Sequence, residues 1–238
     1  MTSQYVRRAT RWWNRRRELR EANHFRQRNV GDHCYIDETV QVLGWQRVRI
    51  GHHTVIGENT WINVNQRDGA EPAVTIGDNC FIARRNFFSA GAHITIGDYC
   101  LTGPDCHFIG AGHDFSSPFT PVALREVKPD AVIEVGANCW FGSSVIVMEN
   151  VRIGFGCILG AGALITRDCP PFSVLVGSPA RVIKRFDMTR KEWVAAQDYP
   201  SDGDRLLPSE TEYLADLRTR YPAIKGARAA TGKAFGDI

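Results

Sequence analysis

Seven histidines are the chain's candidates for moving protons near neutral pH, because the ordinary pKa of imidazole lies there, and position in the sequence sorts them. His113 stands apart. It lies in Ile109-Gly-Ala-Gly-His-Asp-Phe115, where the otherwise regular spacing of the chain breaks. His33, His52 and His53 occupy turn positions of a repeat, where a solvated side chain is the default. His24 belongs to a basic N-terminal segment, and His93 and His107 fall on a free position open to groove or surface. A loop imidazole such as His113 is suited to act as a general base toward a hydroxyl or an amine. Asp114 and Glu126 are candidates to orient it or to contact an acceptor.

The seven cysteines suggest packing rather than chemistry. Cys34, Cys80, Cys100, Cys106, Cys139, Cys157 and Cys169 all take the fifth place of a six-residue unit, where a small inward side chain is needed. A disulfide framework calls for pairs in a secreted context, and zinc calls for clustered Cys/His spacings. Neither pattern occurs, so no metal is expected. A carbonic anhydrase-like zinc site also fits poorly, since His107 and His113 are six residues apart and His93 does not complete them.

The element that must position His113 is the repeat itself. An aliphatic residue followed by glycine recurs as Val30-Gly31, Ile50-Gly51, Ile76-Gly77, Ile96-Gly97, Val135-Gly136 and Ile153-Gly154, with secondary recurrences every six residues. A period of six suits a short strand plus one turn of a coil, and three units close one triangular turn. Such coils cannot bury an apolar face alone and must stack, roughly 4.8 Å apart. The expected fold is an all-β solenoid, a parallel β-helix. A modest insertion lies around Asp68–Pro72, and a longer excursion carries His113 at about 113–131.

Three stretches carry a resemblance: Val135-Gly-Ala-Asn-Cys-Trp-Phe-Gly-Ser-Ser-Val145, Ile153-Gly-Phe-Gly-Cys-Ile-Leu-Gly-Ala-Gly-Ala163 and Val176-Gly-Ser-Pro-Ala-Arg-Val-Ile-Lys184. Residues 30–185 resemble the hexapeptide-repeat acyltransferases of left-handed parallel β-helix fold. The likeness is strongest to sugar O-acetyltransferases of the maltose, galactoside and polysaccharide-biosynthesis type. The resemblance implies left-handedness, a homotrimer with sites between subunits, acetyl-CoA as donor and a saccharide acceptor. It implies His113 as general base. Backbone groups at Ser143 and Ala161 would meet the pantetheine arm, with a backbone amide such as that of Ser143 as oxyanion donor. Thr166 and Arg167 would lie near the nucleotide end, Arg167 standing where the family usually has lysine. Arg181 and Lys184 would attract phosphates. Asn86 does not align with an acceptor-binding asparagine of galactoside-type enzymes, because Ala83 holds that slot. The loop bearing Pro118, Pro121 and Pro129 would cover the acceptor.

The ends add decoration. Residues 1–29 hold nine arginines against Glu18 and Glu21, +7 within a chain of net +3, and read as a helix that caps the first coil or contacts an anionic membrane surface. Nucleic acid is not expected, for want of a basic aromatic groove. Residues 186–238 read as short helices and a tail, opened by capping-box signatures at Thr189–Glu192 and Ser209–Glu212. With no apolar run near eighteen residues and no signal-like apolar core, a cytoplasmic protein is expected, peripheral at the membrane if the arginines engage it. Two other readings stay open: N-acetylation of a nucleotide-linked amino sugar, and a non-catalytic β-helix scaffold.

Overall fold

The computed structural model describes residues 23–128 and 130–224. Three parallel sheets form the faces of a triangular prism. The nine-stranded face runs through Tyr35–Ile36, Val55–Ile56, Phe81–Ile82, Leu101–Thr102, Trp140–Phe141 and Ile158–Leu159 to Ser173–Gly177. The six-stranded face stacks Gln41–Leu43, Trp61–Val64, Phe87–Ala90, His107–Gly110, Ile146–Val147 and Leu164–Ile165. The five-stranded face stacks Val48–Ile50, Val74–Ile76, His93–Ile96, Val132–Val135 and Val151–Ile153. Alternate residues point inward as buried rows, such as Ile56–Ile82–Thr102–Phe141–Leu159 on one face and Ile62–Phe88–Phe108–Val147–Ile165 on another. Phe88 and Phe108 lie ring on ring at 4.7 Å.

Three edges join the faces. The first passes from the five- to the nine-stranded face, the second on to the six-stranded face, and the third back to the five-stranded face. At the first edge the glycines are steric necessities: a Cβ on Gly97 would sit 2.7 Å from Ala137 N and from Gly136 C of the next coil. Two residues on, the chain turns through the left-handed region at Asn79, Tyr99 and Asn138, with φ of 56°, 61° and 55°. The fifth-position side chain then donates to a backbone carbonyl of the next coil. Thr54 Oγ1 reaches Gly77 O at 2.8 Å, Cys80 Sγ reaches Gly97 O at 3.2 Å, and Cys139 Sγ reaches Gly154 O at 3.2 Å. The cysteines are therefore small donors as well as small hydrophobes. Burial raises the thiol pKa of Cys80, Cys100 and Cys139 well above the ordinary value.

Both insertions leave at the third edge. The first is pinned by Arg47, a buried guanidinium that donates to the carbonyls of Glu71 (2.8 Å) and Gln66. The second is the 111–131 excursion between His107–Gly110 and Val132–Val135.

The C-terminal region departs from the sequence expectation in one respect. No helix opens at Thr189. Instead Ala180–Asp187 and Glu192–Ala195 extend the nine-stranded face as antiparallel strands. The Asp187 carboxylate takes the amides of Thr189 (2.8 Å) and Arg190 (3.1 Å), making the turn that the capping signature mimics. The second signature is a true capping box, opening the helix Glu210–Arg220. That helix straps the first edge. Glu210 Oε1 accepts from Ala137 N at 2.8 Å, Arg218 pairs with Asp98 at 2.7 Å, and Tyr99 donates to Tyr221 O at 2.8 Å. At the other end residues 23–29 are helical, and the more arginine-rich part of the expected cap lies outside the described residues. No helix among the described residues is long and apolar enough to cross a membrane.

Because the first-edge glycines are steric requirements, Gly97→Ala should lower the unfolding free energy by about 3 kcal/mol in a urea titration. Gly162→Ala meets nothing within 4 Å and should cost only its positive-φ strain, about 1 kcal/mol.

Candidate active site

His113 begins the excursion on a short antiparallel base. It bridges Val127, Lys128 N donates to Gly112 O at 2.7 Å, and Asp114 N donates to Glu126 O at 3.3 Å. The imidazole is exposed, with Nδ1 3.4 Å from the carbonyl oxygen of Arg125. A carbonyl only accepts, so this contact favours the tautomer with hydrogen on Nδ1, which leaves the Nε2 lone pair free. A neutral imidazole held this way keeps one basic lone pair, on Nε2.

Neither acidic candidate hydrogen-bonds the ring among the described residues. The Asp114 carboxylate takes Ser116 N at 2.9 Å, Ser116 Oγ at 3.1 Å and Arg125 Nη1 at 2.8 Å. The amide of Ser116, then its hydroxyl and the Arg125 charge, hold Asp114 below the usual carboxylate range. Glu126 is exposed and contributes its backbone carbonyl to the loop base. Asn86 is a corner residue: its Nδ2 donates to Ala83 O at 2.7 Å and Gly103 O at 3.1 Å, the duty that Thr60 performs one coil earlier and Cys106 one coil later. Around the imidazole the loop is apolar at its surface, with Phe115, Phe119, Val122 and Leu124 exposed and Lys128 Nζ 4.6 Å from the Phe115 ring centre. Pro129 lies outside the described residues.

The candidate donor residues divide between two edges. Ser143 and Ala161 are stacked neighbours on the second edge, and a Cβ on Gly142 would lie 2.5 Å from Ala161 N. Among the described residues neither amide has a protein acceptor. First-edge amides differ: those of His52, Asp78 and Ala137 are capped by Asp78, Asp98 and Glu210. Thr166 and Arg167 lie exposed on the third edge, on the same side as His113 but two coils further along. Arg181 and Lys184 are exposed on the antiparallel strand at the C-terminal end. Within one chain the six-stranded face thus separates His113 and Arg167 from Ser143 and Ala161.

Sequence reasoning missed two side chains near the imidazole. Arg125 fixes the loop from eleven positions away, with its side chain 9% exposed. Glu149 reaches the other side of the loop base, its Oε2 3.2 Å from where a Cβ on Gly112 would stand. No local pattern marks either, because Arg125 meets its partners only when its own loop folds back and Glu149 meets Gly112 only through the stacking of coils.

Comparison with known proteins places the repeat. Residues 132–167 match the family model described as bacterial transferase hexapeptide (six repeats). The chain is 46% identical over 55 residues to a candidate acetyltransferase of Staphylococcus aureus strain COL, covering 23% of this chain and 28% of that protein. It is 37% identical over 98 residues to a 2,3,4,5-tetrahydropyridine-2,6-dicarboxylate N-acetyltransferase of Staphylococcus aureus strain JH9, covering 40% of this chain and 38% of the other. The chain thus spans well under half the length of these relatives. Among solved structures, a hexapeptide-repeat acetyltransferase of Vibrio cholerae in complex with acetyl coenzyme A superposes with TM-score 0.50 at 26% identity, covering 62% of this chain and 72% of that one. The N-acyltransferase AntD of Bacillus cereus, in complex with dTDP and 3-hydroxybutyryl-CoA, superposes with TM-score 0.57 at 19% identity, covering 82% and 96%. The latter likeness speaks to the fold alone, which is the left-handed β-helix.

A lowered carboxylate pKa stabilises the loop base above the unfolded-state value near 3.9 and stops doing so as pH falls through the folded-state value below it. Amide exchange at Lys128, which closes that base, should therefore lose protection between about pH 4 and the acid limit while core amides such as Ile133 keep theirs.

Proposed function

We propose that this chain, a member of the hexapeptide-repeat acyltransferase family, transfers the acetyl group of acetyl-CoA to a hydroxyl of a sugar, polysaccharide precursor or glycolipid. His113 is the general base. Its Nε2 takes the acceptor hydroxyl proton as that oxygen attacks the thioester carbonyl. A backbone amide of the second edge, that of Ser143, donates to the oxyanion of the tetrahedral intermediate. Collapse breaks the carbon–sulfur bond, and the imidazolium returns its proton to the departing thiolate, giving an acetyl ester and free CoA. The observation that carries the reading is the contact of His113 Nδ1 with Arg125 O, which favours hydrogen on Nδ1 and leaves the basic Nε2 lone pair on an exposed ring.

The division between two edges supports a homotrimer. If the third edge of one copy meets the second edge of the next, His113 and Arg167 of the first stand over Ser143 and Ala161 of the second. A heterologous contact of this kind closes as a threefold ring. The six-stranded face then turns toward the axis. Its outer rows carry Leu43, Trp61, Phe87, Ile146 and Leu164 alongside Gln41, Asn63 and His107, and Trp61 and Phe87 are 4.9 Å apart, a largely apolar strip available for that burial. Ser143 and Ala161 would hold the pantetheine arm through their free amides. Thr166, Arg167, Arg181 and Lys184 would hold the phosphates and nucleotide. The arginine-rich first residues suit a cap on the first coil or contact with an anionic lipid surface, and the second would go with a lipid-linked acceptor.

N-acetylation is the second reading, favoured by the likeness to the staphylococcal N-acetyltransferase. The same base serves an amine. Thiol release from acetyl-CoA across a panel of sugars, nucleotide sugars, amino sugars and glycolipids tests both readings. Products labile to hydroxylamine are esters, and resistant ones are amides. No release with any acceptor, in a protein that also fails to bind CoA, would leave the scaffold reading standing.

Two outcomes are expected of variants. His113→Ala should lower kcat by about 10²–10⁴ with the three-chain assembly intact by sedimentation. Lys184→Glu and Arg181→Glu should each raise the KM for acetyl-CoA about tenfold with kcat little changed, since each replaces an attraction for phosphate with a repulsion.

A further inference from the structure

We infer that Arg125 and Asp114 form a positioning pair for His113, acting through the Arg125 backbone carbonyl and not by contact with the ring. The inference rests on the reading of His113 as base. Its ground is the way the loop is tied. The Arg125 guanidinium is 9% exposed and is held by Asp114 Oδ2 at 2.8 Å, Ser116 Oγ at 3.1 Å and Ser117 O at 2.9 Å, with a longer contact to Asp114 O at 3.4 Å. All these partners lie within four residues after His113. The arginine therefore folds its own segment back over the one that follows the imidazole, and its carbonyl faces Nδ1 as a result.

Burial makes the arrangement unlike a stabilising surface ion pair. Asp114 is half-exposed, whereas the arginine is nearly enclosed and its Nε is buried without a partner. A buried guanidinium with a donor left unpaired is a costly way to hold a surface loop. The cost is accounted for if the loop must present one carbonyl at one place. Without that acceptor, imidazole reverts to its ordinary preference for hydrogen on Nε2. That tautomer turns a donor toward the acceptor hydroxyl where a lone pair is needed. Loss of the pair thus removes both the orientation and the correct tautomer.

The test uses the full-length protein, ¹⁵N-labelled at histidine, alone and with acetyl-CoA. In the wild type the His113 resonances should report hydrogen on Nδ1 at pH above the imidazole titration. In Arg125→Gln the Nε2–H form should become the larger, and in the isosteric Asp114→Asn a mixture should appear. In thiol-release assays with acetyl-CoA and the panel acceptor of highest turnover, Arg125→Gln should lower kcat about 10²-fold, with the KM for acetyl-CoA within about twofold. In a His113→Ala background the same substitution should change the residual rate less than about twofold, because nothing remains to be positioned. An unchanged tautomer in folded Arg125→Gln overturns the inference. An equal loss of rate with and without the imidazole overturns it too. If Arg125→Gln does not fold, an unchanged tautomer and rate in Asp114→Asn do the same. Full turnover by His113→Ala removes the catalytic reading and this inference with it. Full turnover by Arg125→Gln beside a crippled His113→Ala removes this inference alone.

Discussion

The close approach of successive coils at their edges is the constraint on which the molecule depends. Parallel strands about 4.8 Å apart leave no room for a side chain where two turns stack backbone on backbone. Gly51, Gly77, Gly97 and Gly136 are thus fixed by their neighbours, each with a backbone atom of the following coil 2.6–2.7 Å from where its Cβ would stand. The same closeness leaves first-edge turn amides facing the coil above, where an acceptor can cap them. Where the third turn residue is aspartate, as at Asp78 and Asp98, it caps the amide of the coil before. Where the sequence places Ala137 and Phe155 instead, no such oxygen exists. Glu210 then arrives from the C-terminal helix to cap Ala137 N, while Phe155 packs against Phe172 and Tyr213. The strap lies where the ladder of carboxylates ends.

This regularity explains how much was legible in the sequence. A residue repeated for a steric reason announces itself, and the aliphatic–glycine phrase, the fifth-position cysteines and the phase break before His113 all followed from stacking. Its converse explains what was missed. Arg47 ties down its excursion through main-chain carbonyls, which leave no trace in sequence, and Arg125 ties down the second through the Asp114 carboxylate, the Ser116 hydroxyl and the Ser117 carbonyl, partners that only the folded loop brings together. The sequence offers Asp114 as a candidate to orient the ring or to contact an acceptor. Its carboxylate instead serves Arg125 and Ser116, and adjacency carries no information about which way a loop folds back.

The Thr189 signature failed for a different reason. Thr-x-x-Glu proposes a local bond between a hydroxyl and an amide three residues on, and a competing acceptor defeats it. Asp187, 3% exposed, already holds the amides of Thr189 and Arg190. The segment beyond gains more as a strand, since Trp193 then meets Phe186 at 5.4 Å and Val194 is buried. At Ser209 no such rival stands nearby, and the same signature makes a helix.

A solenoid places every equivalent residue on one line, which sets a limit on what one chain can assemble. Residues from one edge align along the helix axis, but groups on two edges are held apart by the width of a face, and no local adjustment closes that distance. His113 projects from the third edge, and the free amides of Ser143 and Ala161 line the second. Chemistry that needs both must take them from two copies, or bring one to the other on a long excursion. The excursion present here is short at its base and folds back on itself through Arg125, so it fixes the imidazole near its own edge instead of carrying it across the face. On the proposed reading, fixed placement of the imidazole and a site shared between copies would be two consequences of one geometry.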